Sequence, residues 1–353
     1  MSDAGPSSGV VGYGVIDEAE TEGWPDAGDV EEAGRERRRN RKVLIIALVL
    51  LVVPVLVVGG YVAWLSHIVT SNVKSELLLP DGPGSGPLDS SGRVVEQPGG
   101  NGTNYLIIGT DAGPGREGSR SDVMVLAHVS DDRSALTLIH FPRDLWVPIP
   151  GRGEAKLNAA YAYGQAPLLV TTMQNLLGVD IDHVAVVGFE GFKAMTDAVG
   201  GVDVAVEEGS VTGPYTFTRG VTHMDGDMAL AFVRERKQLR EGDISRGRRQ
   251  QAFIKGLVLK TLSKDVLTSP VRLKDFIEAA TTNLTVDRRL DVGTMRSEAI
   301  AMRGLRAADV RFITAPFTGF GTSADGQSID VLDEAKITRL GDAVRTDALD
   351  EYR

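Results

Sequence analysis

Cysteine is absent from all 353 residues, which excludes disulfide bonds, zinc-thiolate sites and a thiol nucleophile. Histidine is scarce, and the five present form no close cluster, so a His-rich metal centre is not expected. Excess positive charge is also missing. The formal net charge is -10, which speaks against a general nucleic-acid binder. The glycines of 109–122 are not followed by GKS or GKT, so they do not make a Walker loop. There is no internal repeat and no low-complexity block.

What the chain does contain is divided unevenly. Residues 1–42 carry ten acids against six bases, a net of -4, and show no sustained hydrophobic period. They read as a disordered acidic tail ending in a basic flank, RERRRNRK. Residues 43–65, VLIIALVLLVVPVLVVGGYVAWL, are uncharged and long enough to cross a bilayer as a helix, for which about 20 residues suffice. Positive charge on the N-terminal side predicts a cytoplasmic N-terminus and an extracytoplasmic remainder. A cleaved signal peptide is the weaker alternative, since its apolar region is usually only about 7 to 15 residues. Residues 66–103 hold a short helix candidate (66–79) and a Gly/Pro/Ser-rich linker. The expected extracytoplasmic domain is 104–347.

Within that domain, 104–110, 123–129, 135–141, 183–189, 202–207 and 310–314 are short apolar runs of strand length. Helical spacing marks 166–177, 191–199, 227–236, a segment from 244, 272–284, 290–305 and 334–345, several stopped by glycine. Strands alternating with helices predict an α/β fold, a mixed central sheet with helices on both faces.

Charge is concentrated in Arg234 to Gln251, where seven bases face three acids. Arg246, Arg249 and Gln250 are spaced to share a face of a helix beginning near Ile244. Guanidinium groups near a helix start suit an anion, phosphate above all. A solvated charged surface is the plain alternative. Two loops are expected to face this segment. One, 109–122, leaves a strand with Asp111 and returns with Arg120 and Asp122, placing two carboxylates at the sheet rim. They suit a hard divalent cation or, equally, turn capping. The other, 141–161, offers Arg143 and Lys156, with Asp144 as a salt-bridge partner for Arg143.

Taken in order, Gly109-Thr-Asp111, Arg120-Ser-Asp122, Pro142-Arg143-Asp144, Lys156-Leu-Asn-Ala-Ala-Tyr161, Val233-Arg234-Glu-Arg236 and Gly242-Asp243 leading to Arg246, Arg249, Gln250 and Gln251 resemble the LytR-CpsA-Psr cell-wall glycopolymer ligases. The resemblance implies a divalent metal, Mg²⁺ or Mn²⁺, held by Asp111 and Asp122. It also implies a polyprenyl pyrophosphate surrounded by Arg120, Arg143, Lys156, Arg234, Arg236, Arg246 and Arg249, with Gln250 beside them and the prenyl tail in an apolar tunnel. Family members often carry Arg two residues after the first Asp, where this chain has Gly113.

The implied reaction moves a glycopolymer from its polyprenyl-pyrophosphate carrier to peptidoglycan and forms a phosphodiester. Asp122, Arg143, Arg234, Arg236 and Asp243 are the catalytic candidates. Asp122 and Asp243 compete as proton acceptor, and Asp243 could instead orient arginines. A lipid-pyrophosphate hydrolase and a non-catalytic polyanion-binding regulator are the alternatives. The expected partners are the lipid-linked glycopolymer, peptidoglycan and membrane lipid, not nucleic acid.

Overall fold

A computed structural model of the chain describes residues 56–80, 101–110 and 121–352, with the backbone alone at 243 and 244. The acidic tail, most of the 43–65 run, residues 81–100 of the linker, and Asp111, Gly113 and Arg120 lie outside the described residues. Residues 56–72 are helical (α1), and Leu56, Val57, Val58, Val62 and Trp64 on it are exposed. Among the described residues no helix is long and apolar enough to cross a membrane.

After α1 come strands β1 (Lys74–Glu76), β2 (Thr103–Thr110), β3 (Ser121–Val129) and β4 (Leu136–Phe141). A hairpin of β5 (Leu145–Ile149) and β6 (Gly153–Lys156) leads into α2 (Leu157–Leu177). Next are β7 (His183–Gly188), α3 (Phe189–Ala198), β8 (Val202–Val206), β9 (Ser210–Thr212), β10 (Tyr215–Phe217), β11 (Gly220–Met224) and α4 (Gly226–Arg234). The remainder holds α5 (Asp243–Thr261), α6 (Lys264–Leu267), α7 (Pro270–Thr282), β12 (Leu284–Asp287), α8 (Val292–Ala301), β13 (Val310–Thr314), β14 (Phe317–Thr322), β15 (Ser328–Leu332) and α9 (Glu334–Arg345).

Seven strands form the main sheet in the order β1-β12-β7-β2-β3-β4-β13, and the sheet is mixed. The β2–β3 and β3–β4 pairs are antiparallel, while β2–β7 and β4–β13 are parallel. Strand side chains alternate between faces, and here both faces are covered. Leu106, Ile108, Met124, Leu126, Ile139 and Phe141 meet α2 and α9 through Leu157, Leu169, Met173, Leu340 and Val344. On the opposite face Tyr105, Ile107, Val125, Ala127 and Leu138 meet Ile254, Val258 and Leu262 of α5. Each large apolar side chain taken fully out of water contributes roughly 1.5–3 kcal/mol, so the two layers clamp the sheet between them.

The expected layering is therefore observed, with local differences. The run at 202–207 is not in the main sheet; as β8 it pairs antiparallel with β11 and supports α5. The helix read over 166–177 is the second half of α2, which is broken by non-helical angles at Gly164 and Gln165. The candidate over 66–79 stops at residue 72 and turns into β1.

Helix α5 carries the basic segment, and two features seat it. Gly242 before its first turn has φ +55°, a conformation glycine adopts without steric cost. Gly256 allows close approach to β8, since a Cβ there would stand 2.7 Å from Val202 Cγ1 and 2.8 Å from the Asp203 carbonyl oxygen. Beneath the first turns lies His140 of β4, 6% exposed, hydrogen-bonded to Gln250 and with Nδ1 unpartnered. Burial lowers its pKa from 6.5 to about 4, and the Gln250 hydrogen bond only partly opposes this.

Gly256→Ala is expected to cost about 1–2 kcal/mol, because overpacking against β8 exceeds the helix-propensity gain of about 1 kcal/mol. Urea unfolding of the two proteins measures this, and an unchanged or raised midpoint would contradict the close approach. His140 is neutral when folded, so the unfolded chain binds more protons between pH 6.5 and 4. Its contribution is complete above pH 6.5 and falls as pH drops toward 4, by ~3 kcal/mol. His140→Gln should lose that part of the acid sensitivity. Parallel stability-pH curves for the wild type and the variant would argue against it.

Candidate functional site

The rim where β2, β4 and β7 end and β3 begins gathers most of the charged residues singled out in the sequence. Thr110 and Ser121, which precede Asp111 and Asp122, are paired across β2 and β3. Asp122 accepts a hydrogen bond from Arg143 Nη1 at 2.8 Å, with side chains 25% and 18% exposed. Arg143 Nε stands 3.4 Å from Asp144 Oδ2, and Lys156 Nζ is 2.8 Å from Asp144 Oδ1. The result is an alternating chain, Asp122-Arg143-Asp144-Lys156. It spans the start of β3, the exit of β4 and the end of β6.

Local structure explains the chain. Pro142 turns the backbone out of β4, and Leu145 N donates back to the Pro142 carbonyl at 3.2 Å. The β5–β6 hairpin pairs Trp146 with Lys156, returning Lys156 to the rim directly before α2. Asn158 N, in the first turn of α2, donates to the Arg143 carbonyl at 3.1 Å. Asp144 is buried, and partly buried opposite charges at these distances hold one another's geometry. The sequence singled out Asp144 as a partner for Arg143; it bridges Lys156 as well. That second role is legible only once the hairpin register is known.

Arg234 ends α4 and lies over the Phe189 ring at 4.9 Å. Phe189 follows Gly188, which pairs with Thr110, so this arginine stands above the β7 end of the same rim. From β7 to β4 is three strand spacings, roughly 14 Å. Arg234 and Arg236 are exposed, as cations meeting a ligand from solvent would be. Gln250 Nε2 donates to the Val233 carbonyl at 3.4 Å, tying α5 to the end of α4. Arg246 lies one turn before Gln250 on the same helix face and is 8% exposed. The adjacent Gln251 donates through Nε2 to Thr314 Oγ1 at 2.5 Å.

Arg249 is placed differently. It is 4% exposed, its Nη2 donates to the Glu208 carbonyl at 2.6 Å and to Ser210 Oγ at 3.0 Å, and its guanidinium lies over Phe232 at 4.5 Å and Phe217 at 5.4 Å. The structure turns it toward the β8–β9 turn and the β9–β10 pair, and away from His140. Asp243 begins α5, in line with a helix start near 244.

Divalent-metal donors are sparse here. Among the described residues no group of three or more His, Asp or Glu side chains could hold a metal. Asp122 engages Arg143 through Oδ1 only, which leaves Oδ2 for a further contact. Its donor set suits a hard cation that takes one or two carboxylates and completes its shell with water and substrate phosphate.

The LytR_cpsA_psr family model matches residues 87–346. The polyisoprenyl-teichoic acid–peptidoglycan teichoic acid transferase TagU of Enterococcus faecalis is 34% identical over 240 residues, covering 67% of this chain and 77% of that protein. TagU of Bacillus anthracis is 36% identical over 191 residues, covering 54% of this chain and 63% of the relative, so the match spans less than two thirds of its length. A solved structure of TagT bound to LI-WTA aligns with a TM-score of 0.56 at 26% identity, covering 71% of this chain and 93% of that one. With the family match spanning most of the chain and the ordered Asp, Arg, Lys and Gln residues meeting along one sheet rim, the chain belongs to the LytR_cpsA_psr family.

Proposed function

We propose that the chain is a membrane-anchored phosphotransferase that moves a glycopolymer from a polyprenyl-pyrophosphate carrier to peptidoglycan. The observation that carries this reading is the meeting of Asp122, Arg143, Lys156, Arg234 and the first turns of α5 along one rim. The activities named for the TagU relatives and the LI-WTA bound to TagT supply the substrate class.

An acceptor hydroxyl of peptidoglycan attacks the sugar-linked phosphorus of the donor. A new O–P bond forms, the bond to the bridging oxygen breaks, and polyprenyl phosphate leaves with that electron pair. Such a reaction asks mainly for positioning and for neutralisation of charge on the non-bridging and leaving oxygens. Arg234, at the end of α4, is a candidate to meet those oxygens together with Arg236 and Arg246, and Gln250 ties α5 to α4 beside them. Arg143 and Lys156 face the same rim but already hold Asp122 and Asp144, so they also set its shape. Asp122 takes the hydroxyl proton through Oδ2 where no metal occupies that oxygen, and Asp243 is the acceptor where one does. Mg²⁺ or Mn²⁺, held by Asp122 and Asp111 with phosphate oxygens, would supply Lewis-acid neutralisation of the diphosphate.

An apolar seam leads away from the charged rim. From Gly247 beside His140, α5 runs along the sheet, presenting Ile254, Val258 and Leu262 to Ile107, Val123 and Leu136. These side chains are partly buried and packed on the sheet, so a prenyl tail taking this direction would have to part them. The uncharged run at 43–65, preceded by its basic flank, supports a single-pass anchor with a cytoplasmic N-terminus. No ATP is needed, because the diphosphate already in the donor drives the transfer.

Asp122→Ala and Arg234→Ala should each lower transfer of lipid-linked glycan by about 100-fold or more, with circular dichroism unchanged. Product analysis with peptidoglycan present distinguishes transfer from hydrolysis. Normal transfer by both folded variants would remove the reading. Chelation with EDTA should reduce the wild-type rate and added Mg²⁺ should restore it, whereas full activity in EDTA would eliminate the metal's part.

A further inference from the structure

Helix α5 has two polar faces at its N-terminal end, and the diphosphate reading uses one of them. Gly247, Gln250 and Gln251 contact β4, α4 and β13, with Arg246 on the same side. Ser245, Arg248, Arg249 and Ala252 recur at helical spacing on the other. At 100° per residue the two sets point nearly 180° apart. The second set lines a cavity of about 530 Å³, closed on its other sides by Ala205, Glu207, Glu208, Arg219, Arg240 and Glu241.

Counting engaged groups shows which charge the cavity lacks. Glu208 accepts from Arg240 N at 2.6 Å and from Ser245 Oγ at 3.0 Å, and Glu241 pairs with Arg248. Glu207 is exposed, and Glu208 keeps its charge because both its donors are neutral, so four guanidinium groups of the lining stand against three carboxylates. Arg219 and Arg240 have guanidinium groups with no partner among the described residues. Arg249 adds two buried nitrogens, Nε and Nη1, that lack a hydrogen bond. Burial disfavours its charged form and lowers its pKa. The rings of Phe232 and Phe217 hold this guanidinium in place. Two unpaired guanidinium groups, in a lining with one more cation than carboxylates and a buried third guanidinium behind them, suit an anion.

We propose that this cavity is a second anion-binding subsite, taking a phosphate or carboxylate of the glycan substrates while the diphosphate reacts on the opposite face of α5. This rests on the transferase reading above. The two sites lie about one helix diameter apart, ~10 Å, which a short oligosaccharide spans. The shared chemistry fits either a phosphate within the donor polymer or a carboxylate on the acceptor peptidoglycan.

The test uses the full chain in detergent micelles and two variants, Arg219→Gln/Arg240→Gln and Arg234→Gln. Neither of the paired substitutions touches the diphosphate rim. Equilibrium binding of radiolabelled inorganic phosphate should show two sites in the wild type and one in each variant. In transfer assays the double variant should raise one KM about tenfold with kcat unchanged. A rise confined to phosphate-bearing donors assigns the subsite to the donor, and a rise confined to acceptors with free rather than amidated carboxylates assigns it to the acceptor. Unchanged phosphate stoichiometry in the double variant overturns the subsite. Loss of the second phosphate with neither KM moving overturns its assignment to substrate. Absence of transfer in the wild type counts against the transferase reading alone, because phosphate stoichiometry is measured without turnover.

Discussion

A helix crowded with arginines stays against a sheet only if something other than charge holds it there. In this protein the hold is the apolar side of α5, where Ile254, Val258 and Leu262 lie on β2, β3, β4 and β13, while Gly256 brings the backbone against β8. The apolar contacts offset the cost of bringing several guanidinium groups into partial burial at the N-terminal end. Once α5 is fixed, the position of every charged residue along the rim follows from strand register. Asp122 must face Arg143 because β3 and β4 are antiparallel neighbours, and Lys156 must return to Asp144 because the β5–β6 hairpin pairs it with Trp146.

The main sheet was legible because its strands obey simple rules. Residues 104–110, 123–129 and 310–314 are short, apolar and bounded by turn residues, and all are strands of the seven-stranded sheet. Helix α5 was legible from its period, and the Arg246–Gln250 face from the four-residue interval. The order of the charged tripeptides carried the family, which the match over residues 87–346 bears out. Alternation of strands and helices gave the layered architecture as well.

Less visible were features that depend on partners distant in sequence. β8 reads like any other strand, yet it pairs with β11 outside the main sheet, and its own residues do not encode that choice. The short strands β9, β10, β14 and β15 lack a long apolar run, so their pairing comes from tight turns and from what they cover. The first half of α2 was hidden in a loop reading because Gly164, Gln165 and Pro167 interrupt the helical pattern. Arg249 shows the limit most clearly. Spacing places it near Arg246 and Gln250, but only the positions of Phe217, Phe232 and Ser210 show which way its guanidinium turns.

The opposed faces of α5 also make the helix itself sensitive to phase. Adding or deleting one residue inside α5 between Gln250 and Ile254 would rotate its first turns by 100° relative to the apolar side that seats the helix, sending Gln250 away from the Val233 carbonyl and Arg249 out of its aromatic cradle together. Length changes at the β9–β10 turn, around Gly213, carry no such coupling, since nothing downstream takes its angular position from that turn. Chain length can therefore change at that surface turn, while within α5 each residue acts as a gear tooth that both polar faces share.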